Sequence, residues 1–182
     1  HTAGADNVSV GAYSLCCNTT GTVNTAVGMG ALNFNTTGGS NTAVGQGALY
    51  ANTTASDNVA VGREAMYTNT TGHSNVAVGH DALYSNTTEC SNSAFGHQAL
   101  RNNTNDDNTG IGFNALYSNT SGFRNTALGT SAGRDVTTGD NNLLLGYYAG
   151  RSTSPSGAIT TANNNVVLGD DNISNLFCAD TS

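Results

Sequence analysis

Two histidines and two carboxylates come closest, among the residues of this sequence, to the pattern of a metal site. His80 and His97 lie one repeat period apart, and so do Glu64 and Asp81. Imidazole and carboxylate groups stacked in neighbouring columns suit a divalent cation. The alternative is that these side chains lie on a solvent-exposed corner without a ligand, because the next copy of the repeat has Phe113 at the place of the two histidines. We expect no metal and no cofactor, with these four residues as the candidates if one binds.

The remaining carboxylates show no catalytic spacing. Asp106 and Asp107 are adjacent, as are Asp170 and Asp171. A glycosidase needs two carboxylates about 5–10 Å apart across a cleft, whereas repeats build flat faces. The sequence also shows no Ser-His-Asp arrangement, no phosphate-binding loop and no calcium-binding nonapeptide. We therefore expect that the protein is not an enzyme.

The cysteines lack the spacing of a zinc site. Cys16, Cys17, Cys90 and Cys178 form no Cys-x-x-Cys pair. We expect free thiols, consistent with assembly in a reducing cytoplasm. Disulfides between chains of an assembly are the alternative.

Nine asparagines lie in Asn-x-Ser/Thr sequons, which accept glycans in eukaryotic secreted proteins. They are Asn7, Asn18, Asn35, Asn52, Asn69, Asn86, Asn102, Asn119 and Asn172. Six of the nine recur at one point of a repeat, as Asn-Thr-Thr or Asn-Thr-Ser. We interpret this element as a repeated turn, with a row of glycans as the alternative.

All these residues belong to a repeat of 17 residues, which opens with Asn-x-Ala-Val-Gly in its commonest form. Taking that asparagine as position 1, the ten copies begin at Asn7, Asn24, Asn41, Asn58, Asn75, Asn92, Asn108, Asn125, Asn142 and Asn165. One step, from Asn92 to Asn108, has lost a residue, and the last step, from Asn142, carries an insertion. Such a repeat indicates a solenoid-like architecture.

Each position of the repeat has a constant character. Position 4 is bulky and apolar, position 5 is always glycine, and position 8 is alanine in most copies. Position 3 is small in eight copies, and position 9 is leucine or methionine in the first seven. We expect ladders of identical side chains at positions 1, 4, 5 and 8, exemplified by Asn24, Asn41, Asn58 and Asn75; Val27, Val44, Val61 and Val78; Gly45, Gly62 and Gly79; and Ala48, Ala65 and Ala82.

One copy of the repeat therefore predicts one coil of chain. Asn-Thr-Ala-Val is a short β-prone run that ends at glycine, and Asn-Thr-Thr-Gly has the composition of a turn. We predict an all-β, parallel β-solenoid or β-roll of about ten 17-residue coils. The Gly-x-x-Ala-Leu-Tyr stretch could instead form one helical turn per coil. Residues 1–152 are predicted to be tandem repeats, 153–164 an inserted loop, and 165–182 the last repeat and a C-terminal segment.

The predicted core is thin. Each coil offers about one valine, one leucine and two alanines, and burying these gains less free energy than ordering 17 residues costs. Backbone ladders between coils, or burial against other chains, must supply the difference. The position-10 tyrosines are candidates for burial between chains, with an exposed amphipathic stripe as the alternative: Tyr50, Tyr67, Tyr84 and Tyr117.

Composition excludes several classes of partner. The chain has 9% charged residues, no lysine and a net charge of −7. It therefore lacks the basic surface that binds nucleic acid or an anionic membrane. No apolar run approaches the roughly 20 residues of a membrane-spanning helix. The sequence begins with His1 and not methionine, so we expect a processed product or part of a longer chain.

The repeat N-T-A-V-G-x-x-A-L-Y-x-N-T-T-G-x-x-N resembles those of bacteriophage tail-fibre proteins and related adhesive fibres. The stretch N-N-N-V-V-L-G-D-D-N-I-S-N-L-F-C-A-D-T-S resembles the segment that leads, in such fibres, into an endosialidase-type intramolecular chaperone. A more distant resemblance is to the heads of trimeric autotransporter adhesins. These resemblances imply a homotrimeric fibre on a virion or cell surface that attaches to a host glycan or protein. They carry over no protease function and no receptor-binding residue.

Three other functions stay open at this point. The paired threonines of the turn could form a regular array that binds ice. A polysaccharide depolymerase would share the fibre's location, and a non-viral extracellular filament or adhesin could be built from the same repeat.

Overall fold

A computed structural model describes residues 4–151 and 159–170. Within these ranges it has no helix and ten three-residue strands, one in each copy of the repeat. The strands form one parallel sheet in chain order. They are β1 Val8–Val10, β2 Thr25–Val27, β3 Thr42–Val44, β4 Val59–Val61, β5 Val76–Val78, β6 Ser93–Phe95, β7 Thr109–Ile111, β8 Thr126–Leu128, β9 Leu143–Leu145 and β10 Val166–Leu168. The predicted all-β parallel solenoid is confirmed.

The strands pair position on position because every coil returns to the same register. Ala43 of β3 pairs with Ala60 of β4, for example. The short step keeps this register, since Ser93 pairs with Thr109. The long step keeps it as well, since Leu143 pairs with Val166. The lost residue and the insertion are therefore absorbed outside the strands.

The core is built from positions 3, 8 and 9, and position 4 lies outside it. In β2 to β5 the middle residue of the strand is buried, and its two neighbours are only half-buried. Our expectation that the valine of each coil belongs to the core is therefore wrong, although Val27, Val44, Val61 and Val78 pair with one another from strand to strand. Adjacent strand residues point to opposite faces, so the small residue at position 3 faces inward and the larger valine faces outward.

The position-1 asparagines form a ladder that runs along the solenoid. The backbone N–H of Asn58 donates to Oδ1 of Asn41 at 3.1 Å, and the N–H of Asn75 donates to Oδ1 of Asn58 at 3.0 Å. Nδ2 of Asn58 donates to the carbonyl of Gly72 at 2.9 Å. Each such side chain thus links neighbouring coils and also closes its own coil.

A second asparagine ladder, which we did not expect from the sequence, occupies position 12. Nδ2 of Asn52 donates to Oδ1 of Asn35 at 2.8 Å and to the carbonyl of Ala55 at 3.1 Å. The position-1 asparagine Asn41 donates to that same carbonyl at 2.8 Å. The Asn-Thr-Thr element is therefore part of the polar core as well as a turn.

The Gly-x-x-Ala-Leu-Tyr stretch forms successive turns, not a helix. The N–H of Ala48 donates to the carbonyl of Gly45, and the N–H of Asn52 donates to that of Leu49. Position 9 has a positive φ even where leucine occupies it, as at Leu49 with 51°. Such a residue cannot belong to a right-handed helix. The helical alternative is therefore excluded for the coils that the structure describes.

A glutamate in the coil before the short one replaces hydrogen bonds that the short coil would otherwise accept. Elsewhere the N–H groups at positions 13 and 14 donate to the next coil, as Thr70 and Thr71 do to the carbonyl of Thr87. At the short step the N–H groups of Thr87 and Thr88 donate instead to Oε2 of Glu89, at 2.6 and 3.0 Å. Partial burial raises the pKa of Glu89, but these hydrogen bonds outweigh it and the pKa lies below its usual value.

A change of core packing separates the last coils from the rest. Position 9 changes from Leu116 to Gly133 and Gly150, while position 3 changes from alanine to Leu144. A Cβ atom added at Gly133 would lie 2.6 Å from Cδ1 of Leu144, and one at Gly150 would lie 2.8 Å from Cδ2. Leu144 therefore fills, from the opposite side of the coil, the space that leucine fills elsewhere.

The described end of the insertion follows the regular coil. Ile159 is buried, and the carbonyl of Thr160 accepts a hydrogen bond from the N–H of Thr137. In the same way, the carbonyl of Thr137 accepts one from the N–H of Thr120 in the preceding coil. Asn164 has the positive φ of position 17. Residues 159–164, predicted as loop, thus hold positions 12 to 17 of a coil. The rest of the predicted loop up to residue 158, and the C-terminal segment from residue 171, lie outside the described residues.

Candidate binding surfaces

The histidine column stacks in the structure without forming a metal centre. The rings of His80 and His97 lie 5.0 Å apart between centroids, and His97 stacks on Phe113 at 5.3 Å. Oδ2 of Asp81 lies 3.4 Å from Nε of Arg101, so this carboxylate has a cationic partner. Among the described residues no three histidine, cysteine, aspartate or glutamate side chains could together hold a metal ion.

The other carboxylate of that set is also paired within the protein. Oε1 of Glu64 accepts hydrogen bonds from Nε and Nη2 of Arg63 at 3.1 and 3.0 Å. Positions 6 and 7 of the fourth to seventh coils therefore form a surface that combines stacked rings with ion pairs.

The cysteines and the turn asparagines differ in their exposure. Cys16 and Cys17 are exposed, Cys90 is half-buried, and all three are free thiols. The position-12 asparagines that lie in sequons are buried, and Nδ2 of Asn52, for example, donates two hydrogen bonds. An amide nitrogen so placed cannot carry a glycan in the folded chain. Cys178 and Asn172 lie outside the described residues.

Three of the four position-10 tyrosines, Tyr50, Tyr67 and Tyr84, form a stacked column within the chain, whereas the ring of Tyr117 contacts the guanidinium of Arg134 at 5.9 Å. Tyr50 and Tyr67 lie 4.9 Å apart between centroids with an interplanar angle of 1°, and Tyr67 and Tyr84 lie 5.4 Å apart at 4°. The guanidinium of Arg101 continues the column 4.9 Å from the Tyr84 ring. Burial, followed by the neighbouring tyrosines, raises the pKa of Tyr67. The faces of these rings are covered by one another, and their edges remain half-exposed.

Beside this column lies a groove with a volume of 460 Å³. Its floor is formed by Gly30 and Gly47, which occupy position 7 of the second and third coils. Tyr13 and Glu64, the position-7 residues of the first and fourth coils, close its two ends. Two consecutive glycines at position 7, where the other coils have larger residues, are the sequence signal for this groove, which we did not predict.

The outer face of the sheet carries no charged side chain. Positions 2 and 4 of all ten strands hold only valine, threonine, serine, leucine, isoleucine and phenylalanine. Several of these side chains are about half exposed, including Val10 at 56% and Leu128 at 50%. The result is a continuous apolar strip along the described length of the solenoid, which we call the sheet face.

The threonine columns lie on a different side of the coil. At position 13 the hydroxyl of Thr36 donates to the carbonyl of Thr53 at 3.0 Å, and that of Thr53 donates to Thr70 at 3.1 Å. The threonines at position 14 are exposed in every described coil that has one there. The position-13 hydroxyls are therefore oriented by the solenoid itself.

Comparison of the chain with protein-family models, with curated proteins and with solved structures found no match. Among the described residues there is no helix long and apolar enough to cross a membrane.

Proposed function

We propose that this chain is a structural and adhesive segment of a homotrimeric surface fibre, of the tail-fibre type, that attaches to a host-surface glycan or protein. The observation that carries the proposal is the uncharged sheet face. Parallel sheets are normally covered on both faces, whereas this one has a packed inner face and an apolar outer face with no cover from the described residues of its own chain.

The occupant that best fits the sheet face is another copy of the same face. Strands about 4.8 Å apart repeat identically along every copy, so side chains of parallel chains can mesh at each coil. Ten strands give a strip on the order of 45 Å long. A partner with the same repeat matches that whole length, and a closed ring of three copies hides all three strips.

The coil geometry supports a fibre. Every coil contacts only its neighbours, as in other solenoids, so length is gained by adding coils. The side chains at positions 6, 7 and 10 vary along the chain and lie outside the strands that form the sheet face. In the proposed assembly these variable columns form the outer surface, which is where a receptor would bind. The chain would then belong to a virion tail fibre or to another extracellular fibre.

The test is the native mass of the purified chain by light scattering, before and after heating in detergent. We expect a species near three times the 18.4 kDa chain mass that resists detergent. A monomer at all concentrations would overturn the proposal. A monomer that also produces thermal hysteresis would favour an ice-binding solenoid in its place.

A further inference from the structure

We infer that the groove over Gly30 and Gly47 is a binding site for an uncharged pyranose unit of a glycan. The inference rests on the proposed function only in taking the ligand to come from a host-surface glycan. The site itself is argued from the residues of the groove.

The two glycines are explained by space and not by backbone conformation. Position 7 has a positive φ in every described coil, with 69° at Gly30 and 66° at Gly47. Tyr13 and Glu64 adopt the same conformation, with φ of 61° and 56°. The coil therefore does not require glycine here, and what the glycines provide is room in the groove beside the tyrosine rings of the following coils.

Tyrosines of the following coils form one wall. An added Cβ at Gly30 would lie 3.3 Å from the ring of Tyr50, and one at Gly47 would lie 3.2 Å from the ring of Tyr67. These rings are held by their mutual stacking at 4.9 Å. The wall is therefore ordered before any ligand arrives, which lowers the entropic cost of binding.

The other lining residues combine apolar surface with hydrogen-bonding groups. Met29 is 53% exposed and Tyr13 is 70% exposed, although both are large apolar side chains. The amide groups of Asn33 and Gln46 and the carboxylate of Glu64 also line the groove. A pyranose presents C–H groups to apolar and aromatic surface and hydroxyl groups to amides and carboxylates. The lining thus matches a sugar in both respects, and 460 Å³ falls within the usual range of ligand pockets.

The charges at the groove favour a neutral sugar. The carboxylate of Glu64 is neutralised by Arg63, with Nη2 and Oε1 3.0 Å apart. No other lining residue is charged, and the whole chain has a net charge of −7. An anionic sugar would find no unpaired cation here, and a cationic ligand would find no unpaired carboxylate.

The test fills the groove with a side chain that this column already accepts. Gln98 occupies position 7 with a φ of 56°, and the next coil has a tyrosine, Tyr117, at position 10. Glutamine at position 7 is therefore compatible with a tyrosine in the following coil. The variant is Gly30→Gln with Gly47→Gln, which adds no charge. The matched control is Asn114→Gln, which introduces the same residue in the same column at a distant coil. Circular dichroism and thermal melting establish that each variant keeps the solenoid.

The probes are neutral oligosaccharides of glucose, mannose and galactose, with sialyl-lactose as the anionic comparison, titrated by NMR against the full chain in its native assembly. We expect at least one neutral oligosaccharide to bind, and its Kd to rise at least tenfold in the double variant but not in the control. If the double variant does not fold, Tyr13→Ala at the exposed end of the groove should weaken binding severalfold.

Three results would overturn the inference: no binding of any neutral oligosaccharide, unchanged binding in the filled variant, or binding of sialyl-lactose alone. Its failure can be told apart from failure of the fibre proposal by the native mass of the same sample. A trimer that binds no neutral sugar overturns only the groove, and a monomer that binds one overturns only the fibre.

Discussion

At the residue scale, the glycines of position 5 and position 7 are present for different reasons. At position 5 the φ of the first nine copies lies between 111° and 141°, which side-chain-bearing residues rarely adopt. The coils also touch there, because a Cβ on Gly62 would lie 2.5 Å from the carbonyl oxygen of Gly79. At position 7 other residues share the backbone conformation, so glycine there provides space beside the tyrosine rings of the next coil.

We expect Gly62→Ala to lower the free energy of unfolding by about 2–4 kcal/mol, from backbone strain and contact with the next coil. Chemical denaturation measures this change. The matched control is Gly39→Ser, since Ser56 occupies the same position in the next coil, and it should change stability by less than about 1 kcal/mol. Equal effects of the two substitutions would contradict our account of position 5.

At the element scale, each coil is joined to its neighbours by backbone bonds and two asparagine ladders, and irregular coils are repaired locally. Glu89 supplies the acceptor that a missing residue removes, and Leu144 fills the space that two glycines leave. Each irregularity is thus accompanied by a compensating residue: the missing residue by Glu89, and the two glycines by Leu144. These compensations show that the coil has a required set of hydrogen bonds and a required core volume, which different residues can satisfy.

The Glu89 repair predicts a dependence of stability on pH. A carboxyl whose pKa is lowered by folding stabilises the native state at pH above the unfolded pKa. That contribution is lost as the pH falls through the lower, folded pKa, hence below the ordinary glutamate value of about 4.5. We expect the free energy of unfolding to decrease with acidification in this range, and to decrease less steeply in Glu89→Gln.

Denaturation curves between pH 3 and pH 7 would measure this difference in slope. Glu64→Gln is the control, since its carboxylate is paired on the surface with Arg63 and accepts no backbone hydrogen bond in the structure. Parallel curves for the wild type and Glu89→Gln would refute the role given to Glu89.

In the last coils a leucine at position 3 replaces the leucine that position 9 provides elsewhere. This replacement predicts an energetic coupling between positions 3 and 9. Leu144→Ala should destabilise the chain by about 2–5 kcal/mol because it leaves a cavity, and Gly133→Leu should destabilise it by overpacking. The double variant restores the residue types of the earlier coils at both sites. We expect it to be more stable than the sum of the single effects by over about 1 kcal/mol. If the two single effects on the free energy of unfolding simply added in a double-mutant cycle, Leu144 would not be filling the space beside Gly133.

At the scale of the whole molecule, the thin core and the exposed apolar sheet face have the same cause: a single chain buries only part of its apolar side chains. Alanines fill most of the inward positions of the strands, while the larger aliphatic side chains at position 4 point outward. A single chain therefore leaves much of its apolar surface in contact with water. Association through the sheet face, as we propose, would bury that surface without changing the coil.

A charge placed on the sheet face tests this directly. We expect Val61→Glu to shift the native mass from the trimer to the 18.4 kDa chain, because three carboxylates would be brought together and desolvated. The half-exposed position should leave the fold of the single chain intact. Thr71→Glu, at an exposed position of the same coil, should remain trimeric. An unchanged mass for Val61→Glu would remove the sheet face from the interface.

Much of the fold could be predicted from the sequence because the repeat itself carries the geometry. A constant period implies a constant register, a β-branched residue before an invariant glycine implies a strand that ends at a corner, and repeated asparagines imply a ladder. By contrast, the candidate groove could not be found by examining columns one at a time. It depends on two glycines, a tyrosine stack from the next coil, and end walls three coils apart.

The sequence by itself determined that this protein is a parallel solenoid with one strand in each copy of the repeat, because identical segments of identical length must stack in register. The structure excluded the alternative of one helical turn in each coil. Only the tertiary structure decided which side of each strand faces inward. Valine is larger and more apolar than alanine, so composition favoured valine for the core. The inward side of the strand faces the buried leucine of position 9 and has room only for a small residue such as alanine. That steric limit moves the valines to the outer face on which the proposed assembly depends.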